Sequence, residues 1–208
     1  MYSVKEIFFT IQGEGCNLGK YAVFCRFTGC NLWSGLEKDR HKAICTFCDT
    51  DFVGTNGLNG NKYKNPDQIT EKILSIWRTD DNPFVVLTGG EPMLQIDQGL
   101  INSFHKKKFK IAIETNGTIN VPNEIDWICV SPKSGTKLIQ NHGNELKLVY
   151  PQKNISPHKF EKMKFDHFFL QPKYDSDYKN NVILARKFCE DNPKWKLSFQ
   201  MHKFIGIP

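Results

Sequence analysis

Three cysteines set out the chemistry open to this sequence. Cys45-Thr46-Phe47-Cys48 is a C-x2-C pair, and two thiolates at that spacing on a tight loop can ligate one metal centre. Cys30 lies in Thr28-Gly29-Cys30-Asn31-Leu32, directly after an apolar run, and 14 residues separate it from Cys45. Three thiolates on a cubane leave one iron open for a small bidentate ligand. The same three, completed by His41 from the intervening loop, would make a tetrahedral zinc site. Local spacing leaves both open. The remaining cysteines read differently. Cys25 and Cys129 lie in apolar strands and Cys189 in a helix, where a free thiol behaves as a small hydrophobe. Cys16 falls in a loop with no assigned role. The total of seven is odd, which argues against a disulfide framework and for metal binding or catalysis.

A second motif favours the cluster. Leu87-Thr88-Gly89-Gly90-Glu91-Pro92 follows a strand-like run. Two glycines let a backbone approach a ligand without a Cβ clash. Glu91-Pro92 then opens the next helix, with proline where its missing N–H costs nothing. Alone this also admits the reading of a capped strand-to-helix turn. A cysteine triplet after one strand and this tetrapeptide after the next are together far more specific.

The elements that must hold these residues are short and alternating. Apolar runs at Ala22–Phe27, Phe84–Thr88, Phe109–Thr115, Asp126–Val130, Glu145–Tyr150 and His167–Leu170 suit parallel strands joined by crossovers. Helices are expected from Asn65-Pro66, with Ile69, Ile73, Ile76 and Trp77 at helical spacing, over Leu94–Lys107, and over Ser176–Asp191, where Val182, Ala185 and Cys189 are among the apolar positions. Met1–Gln12 reads as a strand, Lys196–Met201 as a late strand or coil, and the Gly/Asn-rich stretch Val53–Asn65 as an exposed loop. The expected fold is α/β, a partial, shortened (β/α) barrel of about six parallel strands, fewer than the eight of a full barrel. One domain over residues 1–208 is expected, with an insertion in the cluster loop at about 31–44.

Bulk properties exclude several classes. A chain with 39% hydrophobic and 24% charged residues is too apolar for disorder. No run reaches the ~18 apolar residues of a membrane span, and the first residues lack a signal-peptide pattern. A cytoplasmic location is therefore expected. The net charge of +6 raises nucleic acid as a partner, but the basic residues are scattered and the densest run is only Lys106-Lys107-Lys108, so no binding stripe is read.

The two motifs together resemble the radical SAM enzymes. The spacing here, C-x14-C-x2-C, departs from the usual C-x3-C-x2-C and resembles a subgroup of the 7-carboxy-7-deazaguanine synthases. Phe9-Thr10-Ile11-Gln12-Gly13-Glu14-Gly15 resembles that family's N-terminal substrate loop. Phe24 to Leu32 resembles its first strand and first cysteine, and Cys48-Asp49-Thr50 its cluster exit. Ile113-Glu114-Thr115-Asn116-Gly117, Val130-Ser131-Pro132-Lys133, Gln171-Pro172 and the terminal Pro208 resemble later segments.

The resemblance implies a lyase of queuosine and 7-deazapurine biosynthesis. It would convert 6-carboxy-5,6,7,8-tetrahydropterin to 7-carboxy-7-deazaguanine with loss of ammonia, using a [4Fe–4S] cluster on Cys30, Cys45 and Cys48, S-adenosylmethionine (SAM) and Mg²⁺. It places SAM on Phe47, Cys48, Asp49, Gly90, Glu91, Ser131, Pro132, Lys133 and Gln171, and substrate on Ile11, Gln12, Gly13, Glu14, Arg26, Thr88, Glu114, Asn116, His202 and Pro208. Mg²⁺ would take the Thr50 hydroxyl, although Asp49 and Asp51 are the stronger ligands on charge alone. Arg26 sits on one strand face with Phe24 and Ala22, where a lone cation needs a partner that a ligand carboxylate could supply. Glu114 ends its strand, where ligands of parallel sheets bind. The apolar tail Phe204, Ile205 and Ile207 suggests that the chain end docks. Expected partners are a pterin, a flavodoxin or ferredoxin as reductant and a second copy of the chain, with neither nucleic acid nor membrane. Two rivals remain. An activase of a glycyl radical enzyme would share the cluster but lack the Gln12-Gly13-Glu14 loop, and a zinc-stabilised RNA-binding module would carry no iron.

Overall fold

The computed structural model describes residues 1–208. Nine strands form one sheet: β1 (Tyr2–Ile11), β2 (Tyr21–Phe27), β3 (Asn61–Tyr63), β4 (Phe84–Gly89), β5 (Lys110–Thr115), β6 (Trp127–Val130), β7 (His142–Tyr150), β8 (Lys164–Pro172) and β9 (Trp195–Leu197). Their order is β3-β1-β2-β4-β5-β6-β7-β8-β9. From β2 through β4 to β9 every pairing is parallel, whereas β1 runs antiparallel to both β2 and β3. β3 and β9 are free edges, so the sheet is the expected open, partial barrel. It has seven parallel strands, because the segment read as strand or coil near Lys196 supplies β9. The stretch read as a loop over Val53–Asn65 contributes β3.

Four helices accompany the sheet: α1 (Pro66–Ile76), α2 (Gln98–Lys106), α3 (Tyr178–Asp191) and α4 (Met201–Ile205). α1 starts as its sequence demands, with the Asn65 side chain accepting from Gln68 N at 3.0 Å and Pro66 in the first turn. α2 is shorter than the periodicity suggests. Pro92–Leu94 make a separate 3-10 turn, and Asp97 caps α2 by accepting from Leu100 N at 2.9 Å. Asp97 also accepts the Tyr2 hydroxyl at 2.7 Å, which ties this helix start to β1. α3 begins two residues late, because Asp175 folds a turn against the Asp177 N–H and the Asn181 amide.

Strand alternation divides the sheet into two faces of different chemistry. Val85, Leu87, Ile111, Ile113, Ile128, Val130, Leu146, Leu148, Phe168 and Leu170 point to the helix side and build the main core with α1–α3. Their neighbours point to the other face. Its lower half is apolar and aromatic: Ala22, Val86 and Ala112, packed by Phe24, Phe84 and Trp127. Its upper half, toward the C-terminal strand ends, carries Arg26, Thr88, Glu114, Lys147 and Gln171, which line open space.

Candidate active site

A two-lobed cleft opens over those strand ends, where parallel α/β sheets bind ligands. One lobe is lined by Cys30, Cys45, Phe47, Cys48, Gly89, Gly90, Ser131, Lys133 and Gln171. The other is lined by Ile11, Gln12, Gly13, Arg26, His202 and Pro208. Glu14, Asp49, Thr50, Thr88, Glu114 and Gln200 border both, so the lobes are continuous.

The thiols of the first lobe fit a cluster. Cys30 follows β2, and its sulfur accepts from Leu32 N at 3.4 Å. Burial pushes the Cys30 and Cys48 thiols up, and the nearby Cys45 adds to both shifts. Such a set becomes thiolate only when a cationic centre arrives to compensate. No three Cys, His, Asp or Glu side chains converge closely enough to hold one ion. A cubane needs no such convergence, because each thiolate takes a different iron. His41, the candidate fourth zinc ligand, is exposed and lines neither lobe.

The Gly-Gly-Glu-Pro turn has a reason beyond ligand access. A Cβ on Gly89 would strike the Phe27 carbonyl, and one on Gly90 the Gly29 carbonyl. Gly90 N donates to Phe27 O at 3.2 Å and Glu91 N to Gly29 O at 2.9 Å. The two glycines therefore let the end of β4 lie against the segment that carries Cys30. Glu91 departs from the role expected for it. It is wholly buried and outside the cleft, and its carboxylate accepts from Met93 N, Thr115 Oγ1 and Asn116 N at 2.8–3.0 Å. It ties the turn after β4 to the end of β5. Pro132 also lies outside the lining, its carbonyl accepting from Gln152 at 3.2 Å. Lys133 does face the cleft, its ammonium resting on Ser131 O and Oγ at 2.7 and 2.6 Å. Asn116 borders the first lobe rather than the second and donates to Asn31 at 2.9 Å.

Two carboxylates and a lysine occupy the junction of the lobes. Lys147, only 4% exposed, is ion-paired to Glu14 and lies 3.4 Å from Glu114 Oε1. Gln12 donates to Glu114 at 3.1 Å while its carbonyl accepts from Glu14 N at 3.1 Å. Gln171 donates to the other Glu14 oxygen at 3.3 Å. Burial works to raise the Glu14 carboxyl, but Lys147 outweighs it and holds the group below the usual range. Burial likewise opposes the charge on Lys147, yet Glu114 and Glu14 hold its pKa well above that of an ordinary lysine. Glu14 and Lys147 are therefore charged at neutral pH.

In the second lobe Arg26 already has a partner, since its Nε donates to Glu6 at 2.8 Å. A ligand carboxylate is thus not needed to justify this cation, and Glu6 leaves both Nη groups for a further acceptor. The chain end closes the lobe mainly through polar contacts: Phe204 and Ile205 are exposed, although Phe204 rests on Tyr178 and Phe199. Met201 N donates to Gly13 O at 3.0 Å, Thr10 Oγ1 to Pro208 O at 3.0 Å, and Lys203 pairs with Asp49. Burial lowers the His202 pKa, so the ring is neutral at pH 7. Asp51 is held by Lys5 at 2.7 Å.

Lys147 is the site residue that the sequence motifs did not single out. The signal was present: Glu145 and Lys147 are two charges two residues apart in an otherwise apolar strand, which places both on one face.

Comparison with known proteins agrees with this geometry. The radical SAM superfamily model matches residues 40–144. The chain is 52% identical over 208 residues to the 7-carboxy-7-deazaguanine synthase of Caulobacter vibrioides, covering 100% of this chain and 99% of the relative. It is 47% identical over 214 residues to that of Nitratidesulfovibrio vulgaris, with the same coverage of both chains. The crystal structure of QueE from Escherichia coli matches the fold with a TM-score of 0.68, at 24% identity, over 97% of this chain and 94% of that one. The chain belongs to the 7-carboxy-7-deazaguanine synthases of the radical SAM superfamily.

Proposed function

We propose that this chain contracts the ring of 6-carboxy-5,6,7,8-tetrahydropterin to give 7-carboxy-7-deazaguanine and ammonia, in a cleft that holds SAM in one lobe and the pterin in the other. The observation that carries the reading is the junction. Three cysteines line one lobe, Arg26 and His202 line the other, and Glu14, Thr88 and Glu114 face both. Cys30, Cys45 and Cys48 would hold a [4Fe–4S] cluster, which would supply the electron, and bound SAM would supply the hydrogen-abstracting group.

The chain itself binds, orients and shields. Gly90, Ser131, Lys133 and Gln171 hold SAM beside Phe47, Cys48 and Asp49. Glu14 and Glu114 accept from the N–H groups of the pterin, and Gln12 fixes the distance between them. The free Nη groups of Arg26 take the substrate carboxylate. Ile11, Gly13, neutral His202 and the end of the chain at Pro208 close over it and keep out water. The Thr50 hydroxyl would hold Mg²⁺, an oxygen-seeking ion, while Lys203 and Lys5 engage the neighbouring Asp49 and Asp51. We assign one domain over residues 1–208 with a cluster-loop insertion at about 31–44, a homodimer in the cytoplasm, and a flavodoxin or ferredoxin as electron donor. No helix is long and apolar enough to cross a membrane.

The test is anaerobic incubation of the iron-loaded protein with the pterin, SAM and a chemical reductant, with and without Mg²⁺. Formation of 7-carboxy-7-deazaguanine, increased by Mg²⁺, is expected. Cleavage of SAM with the pterin untouched would point to an activase and overturn the substrate assignment. A colourless, iron-free protein would overturn the cluster.

A further inference from the structure

The insertion at residues 31–44 lengthens the cluster motif, and the cleft does not explain it: of its residues only Leu32 and Trp33 touch the lining. Its path is orderly. After Cys30 the chain turns through Trp33, makes a 3-10 turn over Glu37–Lys42 and returns to Leu32, where Ile44 N and Cys45 N both donate to Leu32 O at 3.0 and 3.3 Å. Trp33 is buried against Phe52, edge-on at 5.6 Å. On the indole lies the guanidinium of Arg40, 3.9 Å from the ring centroid. Glu37 orients that guanidinium by accepting from its Nε at 2.7 Å and pairing with its Nη2.

Two of the remaining three guanidinium protons go to the cysteine loop. Nη1 donates to Thr46 O at 3.0 Å and Nη2 to Cys48 O at 3.2 Å. Arg40 lines neither lobe, whereas Phe47, Cys48 and Asp49 line the cleft, so the guanidinium sits behind the loop. In a trans peptide the carbonyl and the next N–H point in opposite directions. Carbonyls drawn back to Arg40 at residues 46 and 48 therefore turn the N–H groups of Phe47 and Asp49 away from it. Hydrogen bonds to sulfur and net charge are two of the quantities that set a cluster's potential, and Arg40 bears on both.

We propose that the insertion serves to seat Arg40 behind the Cys45–Cys48 loop, where it is a positioning residue that fixes the loop's peptide orientation and sets the retention and reduction potential of the cluster. The proposal rests on the cluster's being held by Cys30, Cys45 and Cys48. A lysine would retain the charge, but not the planar fork or the stacking on Trp33.

Arg40→Met and Arg40→Lys, prepared anaerobically beside the unaltered chain and Cys45→Ala, separate these ideas. The readouts are iron and sulfide per chain, the rate of iron loss to a chelator, and the midpoint potential from an electron paramagnetic resonance titration without SAM. Thermal melts of the apoproteins check folding. Arg40→Met is expected to lower the potential and to speed iron loss about tenfold. Arg40→Lys is expected to restore most of the potential while iron loss stays fast. An Arg40→Met protein with unaltered potential and iron loss overturns the proposal. So does an equal fall in apoprotein melting temperature in both variants with no change in potential, which would mark Arg40 as merely structural. Should Arg40→Met not fold, Arg40→Lys decides alone: iron loss at the unaltered rate overturns the proposal. Full iron retention by Cys45→Ala would instead refute the cluster assignment.

Discussion

Replacing Lys147 with methionine should reverse the way this protein's stability responds to acid. Lys147 is the one cation between Glu14 and Glu114, whose side chains are 12% and 23% exposed. Methionine fills the same strand position without strain, so the lost charge is the main change. Removing one partner of a buried pair leaves an uncompensated charge, at a cost of about 3 kcal/mol for this mostly buried set. For a chain of this size that corresponds to a fall of about 6–12 °C in Tm. The sign of the pH response is the sharper test. In the unaltered chain the folded Glu14 pKa is below its ordinary 4.5. Its contribution to stability is therefore present above 4.5 and lost as pH falls through the lower folded value. The Lys147 pKa is raised above 10.5, so its contribution is present below 10.5 and lost only as pH rises through the higher folded value. Without Lys147, burial and repulsion by Glu114 push Glu14 upward instead. The folded state then binds the extra proton, and stability rises as pH falls from about 8 to about 5. Thermal melts of the apoprotein across that range measure the effect. A Lys147→Met protein that melts within about 2 °C of the unaltered chain, or that keeps its acid lability, would refute the argument.

Three further predictions concern the cleft's supports. Gly13→Ala puts a Cβ 2.7 Å from His202 Nδ1 and 2.9 Å from the His202 backbone nitrogen, so the chain end must shift. We expect KM for the pterin to rise about tenfold, or ~1.4 kcal/mol, with iron content unchanged; an unaltered KM would remove the tail from the binding lobe. Asp97→Ala removes both the cap of α2 and the acceptor of Tyr2 and should cost about 2 kcal/mol in chemical denaturation, with Asp97→Asn recovering most of it. Thr50→Ala should weaken the dependence of turnover on Mg²⁺ while the cluster spectrum stays the same; an identical metal titration would exclude Thr50 as a ligand.

What the sequence made legible was local. Asn65-Pro66 starts a helix with its own side chain and ring, and the apolar runs at Phe84 and Phe109 announce strands by composition alone. The cysteine loop and the glycine pair are each visible within a few residues, but they become specific only in combination. Errors arose where a distant partner decided the outcome. α2 starts at Asp97 rather than Leu94 because Tyr2, 95 residues away, holds that aspartate. Glu91, read as a ligand contact from its motif, is consumed by Thr115 and Asn116.

The same logic accounts for the two cations that the motifs did not supply. Lys147 and Arg40 belong to no short pattern, because the value of each is set by groups it meets only in the fold. For Lys147 these are Glu14, 133 residues away, and Glu114. Each acts through groups that face the cleft: Lys147 holds two carboxylates in place, and Arg40 holds two carbonyls turned away. A motif records the residues that touch the ligand. The residues that keep them charged and aimed are free to come from any element that passes nearby, provided the charge is buried enough to act and paired enough to be tolerated. In this fold those elements are the middle of a strand and the turn of an insertion: Lys147 is signalled by a charge in an apolar run, whereas Arg40 stands among the charges of Glu37–Lys42 and nothing local distinguishes it.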